Sequence, residues 1–174
     1  MAANKPKIEH KLNPFLWFDT QAEDAVKFYT TVFKNSKVGT IARYGKAGPG
    51  PDGSVMTATF ILEGIEFIAL NAGPLFKFTE AISFVVNCGD QEEVDYYWEK
   101  LSAGGEKSMC GWLKDKFGLS WQVVPVQLTE LMLDKDPDKA ARVMQAMMKM
   151  KKIDISLLKA AYDQSPETKK LSPA

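Results

Sequence analysis

Few residues in this chain have side chains reactive enough to carry chemistry on their own. Of 174 residues only one is a histidine, His10, and only two are cysteines, Cys88 and Cys110. A single histidine excludes any site that needs two or more from one chain, and it argues against a Ser-His-Asp arrangement. His10 also lies in a polar lead-in, where a solvated side chain is the ordinary state. The two cysteines are expected to be free thiols. Cys110, beside Gly111 and Trp112, has no histidine near it in sequence to favour a thiolate, so it reads as structural. The stretch GKAGPGPDGS, residues 45–54, holds four glycines and two prolines. It lacks the order G-x-x-x-x-G-K-[ST] and no helical pattern follows it, so it reads as a mobile loop and not as a phosphate cradle.

Charge narrows the partners. Lysine plus arginine equals aspartate plus glutamate at 22 each, so the net charge is zero. Nothing points to nucleic acid or to a membrane surface. No segment has the length of a signal peptide or a membrane span, and a cytoplasmic location is the expectation.

The elements that would position any site come from hydrophobic periodicity. KLNPFLWF (11–18) predicts a strand, with Pro14 placing it at an edge or a bulge. Asp19 or Thr20 is the expected cap of a helix whose buried stripe is Ala22, Ala25, Val26, Phe28, Tyr29, Val32 and Phe33. KVGTIARY predicts a strand, and SVMTATFILEG with IEFIALNAG a hairpin turning at Glu63 and Gly64. The order then repeats. AISFVVN reads as a strand and DQEEVDYYWEKLSAGG as a helix closed by a glycine pair. KSMCGWLKD and LSWQVVP read as strands joined around Lys116 to Gly118. Beyond Pro125 the chain turns helical and methionine-rich.

Aligning Val26 with Val94 gives an offset of 68 residues, and aligning Gly64 with Gly118 gives 54. Each half is then a βαβββ module. A four-stranded sheet with one helix leaves its other face bare, so two such sheets are expected to curl into one open, cup-like barrel with helices outside. The fold class is therefore α+β: tandem modules 11–73 and 79–127, a helical C-terminal extension 128–165, and flexible ends 1–10 and 166–174.

FLWFDTQAEDAVKFY, AISFVVNCGDQEEVDYYWEKLS and CGWLKDKFGLSWQVVP resemble the vicinal oxygen chelate (glyoxalase/bleomycin-resistance/dioxygenase) superfamily. The likeness is to its PhnB-like branch, whose members often bear the label 3-demethylubiquinone-9 3-methyltransferase, and it runs from about Leu12 to Tyr162. The resemblance implies a divalent metal between the modules, held by first-strand and last-strand residues and stabilising an oxyanion on vicinal oxygens. Carried across one position at a time, those ligands fall on Leu12 and Glu80, the latter with a one-residue slip to Ala81, and on Ile68 and Gln122. Two aliphatic residues, one carboxylate and one amide make a poor cage for zinc, nickel or iron, so no metal or other cofactor is expected. Magnesium on Glu80 with waters is the nearest alternative.

Strand alternation from those positions predicts the lining of the cup: Leu12 with Pro14 and Leu16, Ile68 with Glu66 and Leu70, Glu80 with Ile82 and Phe84, and Gln122 with Ser120 and Val124. Phe15, Trp17, Phe67, Trp121 and Val123 then pack under the helices. Glu80 facing an apolar interior would have a raised pKa and serve as a catalytic acid or base, while at a solvated rim or paired with Lys77 it would not. Gln122 would orient a ligand, and Trp112 would either lid the cup or stack on the neighbouring helix. An apolar lining with a few polar groups suits a small-molecule ligand. The alternatives are a metal-dependent lyase or dioxygenase, and a non-catalytic scaffold acting through dimer contacts. Methyl transfer has no support, because neither helix follows a glycine-rich nucleotide-binding turn. Met144, Met147, Met148 and Met150 supply an adaptable apolar surface that either packs on its own module or builds a homodimer, and the resemblance also implies the dimer. Protein purified without chelator and without a histidine tag is expected to carry no tightly held divalent ion; metal analysis finding about one equivalent per chain would overturn this donor-set reading.

Overall fold

The structure is a computed structural model that describes residues 11–164. The ends expected to be flexible, 1–10 and 166–174, and the last residue of the expected extension lie outside the described residues. The chain divides into two compact units, one up to Phe78 and one from Thr79 onward.

The first unit holds β1 (Phe15–Phe18), α1 (Ala22–Val32), β2 (Ser36–Arg43), β3 (Val55–Leu62) and β4 (Ile65–Asn71). Its sheet has the order β1-β4-β3-β2, with β1 parallel to β4 and the other pairs antiparallel. Glu63 and Gly64 both have positive φ, 46° and 82°, which matches the twist a two-residue hairpin needs. Beneath α1, Tyr29 stacks on Phe60 and Phe60 on Phe67, all buried. Neither Asp19 nor Thr20 caps α1. The N-cap is Gln21, with no side-chain cap bond, and the Ala22 N–H donates instead to Asn71 Oδ1 at 2.8 Å. The 45–54 loop folds back on itself: Gly53 N donates to the Tyr44 carbonyl and Ser54 N to that of Pro51. Gly50 lies flat on the Tyr44 ring, where a Cβ would come within 2.4 Å of ring carbons.

The second unit repeats the topology. β5 (Ser83–Cys88), α2 (Gln91–Ser102), β6 (Glu106–Lys107), β7 (Trp112–Lys114) and β8 (Ser120–Pro125) give the order β5-β8-β7-β6. Asp90 caps α2 by accepting from Glu93 N at 2.9 Å. The β7–β8 hairpin is built around Asp115, which is 2% exposed. Its Oδ1 accepts from Phe117 N at 2.8 Å and Leu119 N at 3.1 Å, and its Oδ2 from Trp121 Nε1 at 2.8 Å. A buried carboxylate persists when donors surround it in this way.

The helical extension consists of α3 (Val126–Met132), α4 (Pro137–Met147) and α5 (Ile155–Asp163). Leu128, Val143, Ile153 and Leu158 form its core, with Met147, Met150 and Tyr162 against them. It packs on the second module: Cys110 N and Gly111 N donate to the carbonyls of Met150 and Lys151, and Gln91 bonds to the backbone of Ile153 and Ile155. Among the described residues no helix is long and apolar enough to cross a membrane.

Two outcomes follow from these polar anchors. Asp115→Ala strands three N–H donors in the hairpin, so urea unfolding should show a loss of about 2–4 kcal/mol. A variant within a few tenths of the parent would mean that the hairpin closes without the carboxylate. Asp154 caps α5, accepting from Ser156 N at 2.8 Å and Leu157 N at 3.1 Å. Chiefly the Ser156 hydroxyl and the Leu157 N–H hold its carboxyl below the usual carboxylate range. A depressed folded-state pKa stabilises above the ordinary carboxylate value and loses that contribution as pH falls through the depressed one. Asp154→Ala should therefore cost about 1 kcal/mol at neutral pH, with the gap to the parent closing in acid. A gap that is constant with pH would assign the loss to something other than the carboxylate.

Candidate functional site

The hairpin glycines and the ladders fix which face each candidate occupies. In the first sheet Leu16 pairs with Ala69 and Trp17 with Leu70. Ala69 shares the helix-covered face with Phe67, so Leu16 lies under α1, buried with Phe18. Phe15 and Trp17 take the helix-free face with Ile68 and Leu70, the reverse of the expected parity for this strand. Ile68 and Leu70 are where alternation placed them. Leu12 precedes β1 and is 90% exposed. Phe15 is 54% exposed, while Trp17 is covered by Phe76 at 4.9 Å between ring centroids. Asn13, one residue on from Leu12, donates to Glu66 Oε2 at 2.9 Å.

The second sheet shows the same one-residue error in its first strand. Phe84 pairs with Trp121 and packs tilted against it, 5.6 Å between centroids, on the helix-covered face. Ser83 and Val85 take the helix-free face, with Ser83 beside Ser120 and Val85 beside Gln122. Gln122 donates from Nε2 to Ser83 Oγ at 2.9 Å. Trp112 pairs with Gln122 and Lys114 with Ser120, so both β7 residues share this face. Ile82 precedes β5 and is exposed.

Glu80 lies in the turn before β5 and not in a strand. Its carboxylate accepts from Lys114 Nζ at 2.5 Å, with 61% of the glutamate side chain and 31% of the lysine side chain exposed. That contact holds the Glu80 carboxyl below its ordinary range and raises the Lys114 ammonium. The raised pKa that burial would have produced is absent, and so is the pairing with Lys77 considered from sequence. A carboxylate ionised this firmly is not a general acid at neutral pH.

Glu80, Trp112, Lys114 and Ser120 line one cleft of about 470 Å³ in the second unit, with Met109, Cys110 and Leu113 among its apolar walls. Ser120 is fully buried and its Oγ has no hydrogen-bond partner. Such an orphaned hydroxyl is uncommon in folded proteins and calls for an explanation. Lys114 escaped the sequence reading, although alternation from Gln122 across a hairpin partner would have found it. Cys110 has a φ of 59° and its thiol lies 3.7 Å from Met148 Sδ. Cys88 is buried, which pushes its thiol up to about 12. Both cysteines are free.

A cleft of about 560 Å³ in the first unit is bounded by the 45–54 loop and the start of α1. Three of its polar groups serve the fold: Tyr44 donates to the Asn71 carbonyl, Arg43 to that of Gly53, and Asn71 to that of Val55. A divalent ion is a poor fit to the residues present. Leu12 and Ile68 have no side-chain donor atoms and the Gln122 amide is turned to Ser83, which leaves one carboxylate, Glu80, at the four positions. Among the described residues no three His, Cys, Asp or Glu side chains are grouped so as to hold a metal.

Known proteins share this architecture. The chain is similar to the PhnB protein from Bacillus cereus, described as a 3-demethylubiquinone-9 3-methyltransferase: 39% identity over 67% of this chain and 99% of that one, with a TM-score of 0.62. Protein PA1353 from Pseudomonas aeruginosa matches at 19% identity, 67% and 97% coverage and a TM-score of 0.57. The fosfomycin resistance protein FosX from Listeria monocytogenes matches at 17% identity, 74% and 100% coverage and a TM-score of 0.54. The last two likenesses speak to the fold alone. No curated protein matches the chain. The model of the 3-demethylubiquinone-9 3-methyltransferase family matches residues 10–124, well over half the chain, and the chain belongs to that family, together with the PhnB protein.

Proposed function

We propose that this protein binds a small, largely apolar molecule in the second-unit cleft, without a metal centre. The observation that carries the reading is a fully buried Ser120 hydroxyl with no partner in a cleft walled by Trp112, Met109 and Leu113. Ligand pockets combine apolar walls with a few polar groups that fix orientation, and a spare hydroxyl is one such group. Gln122, beside Trp112 in the ladder, supports the cleft by holding Ser83. Glu80 acts here as a charged partner of Lys114 and not as an acid or base.

Methyl transfer, the family's printed description, is not part of this reading. Residues 19–21 and 89–90 link strand to helix in the two modules, and neither segment is the glycine-rich turn that seats a nucleotide cofactor. The same reading keeps the chain as a homodimer, supported by the exposed Met144, Met148 and Leu157 of the extension.

A panel of small aromatic and dicarbonyl compounds, screened by melting temperature, tests the proposal. At least one aromatic should raise the midpoint by several degrees at a concentration well above its Kd. Trp112→Ala, at a half-exposed position, should fold and lose that shift. A panel with no stabilising compound, or shifts that survive the substitution, would count against the cleft.

A further inference from the structure

We infer that the cleft selects an organic carboxylate, seated with its oxygens on Lys114 and Ser120 and its apolar body against Trp112. This rests on the small-molecule reading above and adds the chemical class of the ligand. Lys114 and Ser120 are ladder partners on β7 and β8 and both line the cleft, so a residue bearing an ammonium and one bearing an orphaned hydroxyl adjoin on one face. An ammonium has three protons to donate, and Lys114 directs one to Glu80.

Glu80 occupies the position that a ligand's carboxylate would take. It belongs to a turn, its side chain is mostly exposed, and a solvated ion pair of this kind holds weakly. Exchange of one carboxylate for another keeps the Lys114 ammonium paired. The incoming group adds an acceptor for the Ser120 hydroxyl, which Glu80 does not supply. The other charged groups of the cleft are already placed: Lys107 is paired with Glu99 at 3.1 Å, and Glu106 adds negative potential at Lys114. No covalent step is involved.

Calorimetric titration with naphthoate and with the neutral naphthamide tests the class. The parent protein should bind naphthoate about tenfold more tightly, the worth of one charge-assisted hydrogen bond, and added salt should erode the difference. Glu80→Gln removes the internal competitor and should tighten naphthoate while leaving naphthamide unchanged. Lys114→Met should abolish the preference and keep naphthamide binding. Equal affinities in the parent, or weaker naphthoate binding by Glu80→Gln, would overturn the carboxylate assignment and leave the pocket reading intact. Failure of both probes and of the wider aromatic panel would remove the pocket as well.

Discussion

The second module depends on one buried charge. Asp115 is almost wholly enclosed, yet it is anchored on three sides by N–H donors from Phe117, Leu119 and Trp121. An ionised group in that position is tolerated only because hydrogen bonds replace the water it lost. The bonds do more than offset burial. Two draw the turn tight around Gly118, whose φ is 86°, and the third fixes the Trp121 indole from the far strand. Lys114 is the residue before the carboxylate and Ser120 is the one before the indole. The spacing of ammonium and hydroxyl across the ladder is thus set by a bond network on the opposite side of the same hairpin.

The two modules share a topology but secure it differently. With the hairpin glycines aligned, Ala69 corresponds to Val123, and their ladder partners Leu16 and Val86 stand 70 residues apart. The buried helix positions Ala25, Tyr29 and Val32 correspond to Val94, Trp98 and Leu101, 69 apart. The turn between strand and helix is one residue shorter in the second module. That difference matches the capping. In the first module Asn71, at the end of β4, reaches over to the start of α1; in the second the equivalent residue is Pro125, and α2 is capped by its own Asp90. Proline has no amide side chain to lend, so the longer-range cap is replaced by a local one.

This also explains what was legible in the sequence. Helices, hairpins and the repeated βαβββ order followed from periodicity and from turn residues such as Glu63-Gly64. Parity in β1 did not, because FLWF is apolar on both sides and offers no alternation to read. Alternation from the ligand positions that the resemblance implies puts Leu16 and Phe84 on the helix-free face, and a one-residue slip inverts every side chain in the strand. Glu80 was legible as a polar residue near the site but not as an ion pair, since Lys114 lies 34 positions away and only the fold brings them together. The unpartnered hydroxyl of Ser120 is a property of packing that composition does not encode.

The extension bears on the site as well, although it lies beyond the family-matched segment, which ends at residue 124. Cys110 holds a left-handed backbone that a residue with a Cβ seldom adopts. Gly111 follows with a φ of 80°, and any Cβ there would sit 2.6 Å from the Val123 carbonyl. Strain of this kind survives only where the surroundings impose it. Here the surroundings are the carbonyls of Met150 and Lys151, which accept from the two N–H groups, with Ile153 close enough that a Cβ on Gly111 would lie 3.3 Å from it. Cys110 and its neighbours Met109 and Trp112 form one wall of the cleft. The wall therefore owes its shape to a segment outside the repeated modules. Loosening the core of Leu128, Val143, Ile153 and Leu158 would reach the cleft through Cys110 and Gly111, and would reach β8 directly, because Val124 packs against that core and Val123 N donates to the Gly111 carbonyl.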